Sequence, residues 1–350
     1  MQFSDDDLEA AVTAGAISAE SAAGFRVFVE RRRALPAADE ESFRLLTGFN
    51  DIFVSIALAI ALGALGWLAG QAAPVYAGAV VAAASWGLAE FFTRRRRMAL
   101  PSLLLLFAFV GGVTGCVLAA PFPLGDANSP IATMFAAGAV GAVAAFLHWR
   151  RFKVPVTVAA GALTIGAAGV AMVEAYFRSQ TLTLYAVLAA GLIVFALGLA
   201  WDASDRLRKT RRADVAFWLH LLAAPAIVHP AFALLGVTAI GTARFATAAG
   251  SVSDPRVLLP AGLAVAVYAG LAIVALVVDR RALMVSGLLY LIYAMNAALR
   301  ATGALTLSFA LSALIVGAAL LLLSAFWATA RRGALRLAPA PWRARLPPAA

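Results

Sequence analysis

The sequence predicts an all-α polytopic transmembrane helical bundle of about ten helices, preceded by a small cytoplasmic helical hairpin, and three observations predict it. Of 350 residues, 63% are apolar or aromatic and only 13% are charged, whereas a soluble domain is about 45–50% apolar and about 25% charged. The apolar residues fall into runs of crossing length, since a hydrocarbon core about 30 Å thick takes roughly 20 of them per helix. The basic residues gather in every second gap between those runs. Mean hydropathy of +0.89 excludes a single water-soluble globule.

Residues 1–49 hold nine of the eighteen acids and five of the twenty-eight bases, a net of −4, while residues 50–350 carry a net of +14. This shift sets the domain plan: a cytoplasmic helical segment at 1–49, a ten-helix membrane domain at 50–328, and a basic, Pro-rich cytoplasmic tail at 329–350. The start is acidic at Asp5, Asp6, Asp7 and Glu9, where a secretory leader needs a positive charge, so the N-terminus is expected to stay inside. Ser4 can cap a first short helix whose aspartates suit the helix dipole, and Gly15 ends it. Ser18 caps a second helix with Phe25, Phe28 and Val29 on one stripe, closing at Arg31, Arg32 and Arg33. Pro36 breaks that pattern, and Asp39 to Phe49 forms a third amphipathic stretch with Phe43, Leu46 and Phe49 on one side. Fifty residues bury only a small core, so this segment is expected to be a helical hairpin docked on the membrane domain, or else a partner-binding or regulatory module.

The apolar windows then run in order: Asn50 to Leu68, Pro74 to Phe92, Met98 to Ala120, Pro130 to Trp149, Val154 to Glu174, Thr181 to Trp201, Asp214 to Val237, Val257 to Val278, Ala282 to Arg300, and Leu305 to Trp327. With the N-terminus inside, the cytoplasmic segments hold twenty-four Lys and Arg residues, against four on the outer side at Arg178, Arg244, Arg256 and Arg300. This asymmetry puts both termini in the cytoplasm by the positive-inside rule. The basic runs are short, sit at helix ends and lack interleaved aromatic platforms, so they read as topology anchors that attract anionic lipid, and a nucleic-acid partner is not expected.

Arg94, Arg150 and Arg206 open three cytoplasmic turns at a spacing of 56 residues. A duplicated hairpin would produce this, and an inverted five-plus-five arrangement is also compatible with ten crossings. Small residues at Gly63, Gly66 and Gly70, at Gly111 and Gly115, and at Gly191 and Gly198 predict close helix packing. The single Cys116 lies inside the third window, forms no disulfide motif and reads as a packing residue.

The seventh window is the most unusual, with His220 and His229 beside Pro225 and Pro230. Each proline removes a backbone hydrogen bond, which allows a broken helix presenting its imidazoles to a substrate or proton path, whereas the simpler expectation is a hydrogen-bonded structural histidine at each site. Nine residues turn a straight helix by about 900°, placing the two rings on opposite faces, which disfavours a shared haem or metal. In the ninth window Asn296 and Arg300 share a face, and Glu174 ends the fifth window on the same side, where it could pair with Arg300, although snorkelling of Arg300 to the outer interface is the simpler reading. His148, beside Trp149 and Arg150, reads as an interfacial anchor facing the cytoplasm. No HExxH, GxSxG, paired-carboxylate motif or phosphate loop occurs, so neither catalytic residues nor a cofactor or metal is assigned.

The segments "GAISAESAAGF", "EESFRLLTGFNDIF" and "DRRALMVSGLLYLIYA", with ten windows between and around them, resemble bacterial multi-pass inner-membrane proteins of a family without an assigned reaction. The resemblance implies location and topology only. Midplane charges are scarce, so the leading expectation is a non-enzymatic scaffold or regulator that works through residues 1–49. A transporter or flippase for a small or lipidic solute, lined by the kinked seventh helix, is the alternative, and a membrane-embedded transferase acting from His148 or His220 is the third.

Overall fold

The computed structural model describes residues 5–25, 49–120, 131–206, 208, 210–235, 255–301, 308–337, 339 and 346. The chain divides into an N-terminal unit, Met1–Phe43 with Ala350, and a main unit, Arg44–Ala349. In the first unit α1 (Asp5–Thr13) is followed by Gly15 in the left-handed conformation at φ 72°, a backbone state that glycine adopts without a Cβ clash. Ser18 Oγ then accepts the Ser21 amide at 3.1 Å, capping a helical stretch over 19–25 as the sequence predicts. Ser4, Phe28, Val29, the Arg31 to Arg33 run, Pro36 and the Asp39 to Leu46 part of the third stretch lie outside the described residues.

The main unit is helical throughout its described length. It comprises α2 (Phe49–Gly70), α3 (Pro74–Ala89) continuing through a wider π turn (Glu90–Arg95), α4 (Ala99–Leu118), α5 (Ile131–Phe152), α6 (Val156–Phe177) and α7 (Gln180–Ser204). There follow α8 (Arg211–Leu234), α9 (Pro255–Val278), α10 (Ala282–Ala301), α11 (Ser308–Ala325) and α12 (Trp327–Leu337). Local chemistry starts several of them: Pro74 occupies the first turn of α3, where its missing N–H costs nothing. The Ser179 and Thr210 side chains cap α7 and α8. Large side chains such as Phe53, Ile56 and Ile60 of α2 point outward, the arrangement hydrocarbon favours and water does not.

Seven of these helices, α2 to α8 with the π turn included in α3, are long and apolar enough to cross a membrane, at mean hydropathies of 1.4 to 2.4. Helix α11 becomes an eighth if counted with α12, from which it is bent by 82°. Over the residues described, α9 and α10 present the shorter apolar stretches Gly262–Val278 and Leu283–Asn296. The described residues therefore support seven crossings, or eight, and the expectation of ten goes beyond them. The final window is corrected at its end: the chain turns at Phe326, and much of the expected tail is helix α12, with Trp327, Arg331 and Ala334 buried. Spacings of four and three put those three on one helical face.

Consecutive helices pack as neighbours from α2 to α8 and from α9 to α12, most extensively α7 with α8, and α8 also touches α6 and α10. Half of the apolar window of α8 is buried, against 17–33% in the other six, so α8 is the helix able to carry polar side chains away from lipid. Four turns at one end contain a residue with left-handed backbone: Arg97 (φ 54°), Lys153 (φ 56°), Arg208 (φ 50°) and Asp279 (φ 61°). The amides of Lys153 and Arg280 bond back to Trp149 and Ala275 carbonyls, so these residues stop their helices as a C-terminal glycine would. Arg178 (φ 49°), in the turn between α6 and α7, adopts the same backbone at the other end, so this geometry does not by itself mark a repeated hairpin.

The expected glycine packing holds at Gly66, Gly70, Gly191 and Gly198, where an added Cβ would meet a neighbouring helix. It fails at Gly63, Gly111 and Gly115, which have nothing within 4 Å. The tight crossing of α3 and α4 uses Gly78 and Gly112 instead, each lying on the carbonyl of the other.

Candidate functional site

Helix α7 brings Asp202 to its last turn, three residues short of the turn into α8, and buries it to 3% exposure. An isolated carboxylate in such a place is prohibitively costly, so its partners define the site. His220, on the third turn of α8, directs Nε2 to Asp202 Oδ2 at 3.0 Å. Arg280, from the turn between α9 and α10, sets Nη2 at 2.5 Å from Asp202 Oδ1 and Nε at 3.3 Å from Oδ2. The same Nη2 also donates to the Ala213 carbonyl at 3.2 Å, tying in the first turn of α8. A carboxylate only accepts, so His220 carries its proton on Nε2. Its Nδ1 has no hydrogen-bond partner among the described residues and lies against Gly198, where a Cβ would stand 3.0 Å away.

A second carboxylate stands next to Arg280. Asp279 accepts from Arg208 Nη1 at 3.0 Å and from Trp327 Nε1 at 2.8 Å, and Arg331 Nε lies 3.5 Å away. Arg208 further donates to the Val278 and Asp279 carbonyls, both at 3.1 Å. Arg281 places its guanidinium 5.0 Å from the centre of the Trp327 ring, a cation–π contact. Two aspartates and three arginines, with Arg281 against the Trp327 ring, thus join the ends of α7, α8, α9, α10 and α12 into one ionic hub. Arg208, Arg280 and Arg331 are buried as ion-pair partners, which amends the reading of the 206–212, 280–281 and 331 bases as solvated topology anchors.

The residues singled out in the sequence fall in different places. Helix α8 passes through Pro225 and Pro230 without a break, so a broken helix is not found. Pro230 supplies no N–H to the Ala226 carbonyl, and Gly191 of α7 packs directly against that peptide, where an added Cβ would stand 3.0 Å from the freed oxygen. His220 is fully enclosed while Pro225 and His229 lie on an exposed face, the opposite-face arrangement expected from their spacing. His229 Nδ1 meets the hydroxyl of Tyr290 on α10, and the Tyr290 ring stacks on Phe232 at 4.8 Å and 10°. Asn296 is half-buried. Glu174 is exposed and accepts a hydrogen bond from Thr183 across the turn between α6 and α7. The side chain of Arg300, and with it the suggested pair to Glu174, lies outside the described residues.

His148 also differs from its reading as an interfacial anchor. It is fully buried, hydrogen-bonded through Nδ1 to Thr157 Oγ1 at 3.2 Å, and enclosed by Phe109 and Phe152 at 5.9 and 4.6 Å and Trp86 at 6.3 Å. Position 148 faces α4 and α6, so the ring turns inward while neighbouring Arg150 and Arg151 reach the surface. Arg151 makes a two-pronged pair with Glu90 at 2.6 and 2.9 Å, and Arg94 adds a 3.3 Å contact to the same carboxylate.

Sequence reasoning missed Asp202, Asp279 and the inward arginines. A signal was present: these are carboxylates set inside or beside runs otherwise made of arginine, in a region of 301 residues with only nine acids. Among the described residues no group of three or more His, Cys, Asp or Glu is placed to hold a metal ion. The geometry at His220 resembles a general base with an orienting carboxylate, yet the imidazole is sealed by Phe195, Gly198 and Asp202. No protein family, curated protein or solved structure matches this chain.

Proposed function

We propose that the chain is an integral protein of the bacterial inner membrane, with both termini in the cytoplasm, that acts without catalysis as a scaffold or regulator through residues 1–49. The observation that carries this reading is the use of the buried charges. Asp202, Asp279, Arg208, Arg280 and Arg331 are all spent on holding helix ends together, as befits a rigid platform. A transport path along α8 finds less support, because Tyr290 and Phe232 stack in the contact between α8 and α10 and the Tyr290 hydroxyl is engaged by His229 at its edge. The excess of twenty-four basic residues against four supports the orientation.

The test is photo-crosslinking in native membranes, comparing the full chain with a version lacking residues 1–49. A discrete adduct that disappears with the deletion and survives His220→Gln is expected. Absence of any adduct dependent on residues 1–49, or solute flux into proteoliposomes that falls with His220→Gln, overturns the reading. Orientation is checked in the Cys116→Ser background: an impermeant maleimide should label Arg178→Cys in intact cells and Arg212→Cys only after permeabilisation.

A further inference from the structure

We infer that the groove between α9, α10 and α11, beneath the bend into α12, is a binding site for one anionic phospholipid. The groove encloses about 150 Å³. Its floor is Tyr268, Met284 and Trp327, all buried, and its walls are Leu288, Leu320 and Leu323. Apart from the exposed Ser324 at its side, such a lining offers an acyl chain dispersion contacts along its length. Val285, 69% exposed, stands at the open lip, so the groove opens sideways toward the lipid around the helices.

Two further features select a lipid with a negative headgroup. The first is depth. Helix α11 is apolar to Ala325, and α12 departs from it at 82°, the geometry of a crossing helix followed by one lying in the interface. Trp327, at the start of α12, therefore marks headgroup level, where indoles concentrate. The groove runs inward from there along the first two turns of α10 and the last two of α11, as an acyl chain does. The second is charge. Arg281 lines the mouth of the groove with its guanidinium over Trp327, and the hub behind it holds three further arginines against two aspartates. On the outer face of α12, Arg332 and Arg336 are exposed. A phosphodiester at the mouth meets a net positive field, and its chain enters an apolar slot. The inference requires only that these helices sit in a bilayer and is independent of the regulatory role of residues 1–49.

Native mass spectrometry of the full chain, stripped of lipid in detergent and titrated with phosphatidylglycerol or phosphatidylcholine of identical acyl chains, tests it. One positive charge at the membrane surface contributes about 1 kcal/mol, or about fivefold in affinity, so phosphatidylglycerol should bind at least about fivefold more tightly. Arg281→Gln should reduce it to the phosphatidylcholine level, and Val285→Trp, which puts an indole across the lip, should weaken both lipids. Equal binding of the two lipids by the unmodified chain, a preference that survives Arg281→Gln, or binding indifferent to Val285→Trp overturns the site. Displacement of the bound species by inorganic phosphate alone overturns the lipid as occupant. Val285 is exposed, so its variant decides the matter even if Arg281→Gln fails to fold.

Discussion

Asp202 and Arg280 stand 78 residues apart in the chain and 2.5 Å apart in the structure, and their contact joins the end of α7 to the turn between α9 and α10. Because both are buried, removing one partner does more harm than removing both. Arg280→Met should destabilise the protein by roughly 3–5 kcal/mol, the range for an orphaned buried charge. The double variant Asp202→Asn with Arg280→Met keeps an acceptor for His220 without a charge, and should recover most of that loss. Unfolding in mixed micelles, followed by helical circular dichroism, measures both. Equal losses in the single and double variants would show that the pair is not what holds this end together.

Gly198 is where the His220 ring lies flat against α7, with an added Cβ falling 2.9–3.1 Å from three ring atoms. Gly198→Ala should therefore cost about 1–3 kcal/mol by overpacking. Gly115→Ala, in an open position on α4, should be neutral or stabilising by up to about 1 kcal/mol, because alanine is the better helix former. Thermal midpoints of the two variants make the comparison. If both behave alike, the close approach of α7 and α8 is not supported.

These two sites show what could be read from the sequence. Helix positions were legible because long apolar runs separated by basic gaps have few alternatives in lipid, and glycine at 191 and 198 marked a real crossing. Gly111 and Gly115 looked equivalent and were not, since a helix of small residues presents several candidate faces and Gly112 is the one turned to α3. The ionic hub was not legible for a related reason. Arg280 and Arg281 are adjacent and chemically identical, yet one is 2% exposed on Asp202 and the other lies over Trp327, a difference set by partners far away in the chain. Pro225 and Pro230 signalled a break that α8 does not make; the helix is continuous through both, and Gly191 of α7 packs close against the Ala226 peptide.

Among the described residues His148 has one hydrogen-bond partner, Thr157 at 3.2 Å, inside a shell of aromatic rings. Thr157→Val leaves the imidazole without that partner at nearly constant volume, and should destabilise by about 1–3 kcal/mol, the cost of an unsatisfied buried polar group. Adding His148→Phe removes the stranded polar ring and should restore most of the stability. A double-mutant cycle read by unfolding midpoint checks the coupling, and additive losses would show that the two side chains do not act on each other.

Tyr290 holds α10 to α8 in two ways, through its hydroxyl on His229 and through its ring on Phe232. The hydrogen bond is the smaller contribution, since polar contacts between membrane helices average about 0.6 kcal/mol. Tyr290→Phe should therefore lower stability by no more than about 1–2 kcal/mol and leave the stack intact. Tyr290→Ala removes the ring as well, and should cost about 3–5 kcal/mol as a large aromatic deleted from a packed contact. If α8 and α10 form a closed contact, Tyr290→Phe should also leave proteoliposomes as impermeable to small solutes as the unmodified chain does. A flux that appears with Tyr290→Phe would instead mean that this hydroxyl closes a path between the two helices, and the transport reading would then replace the scaffold.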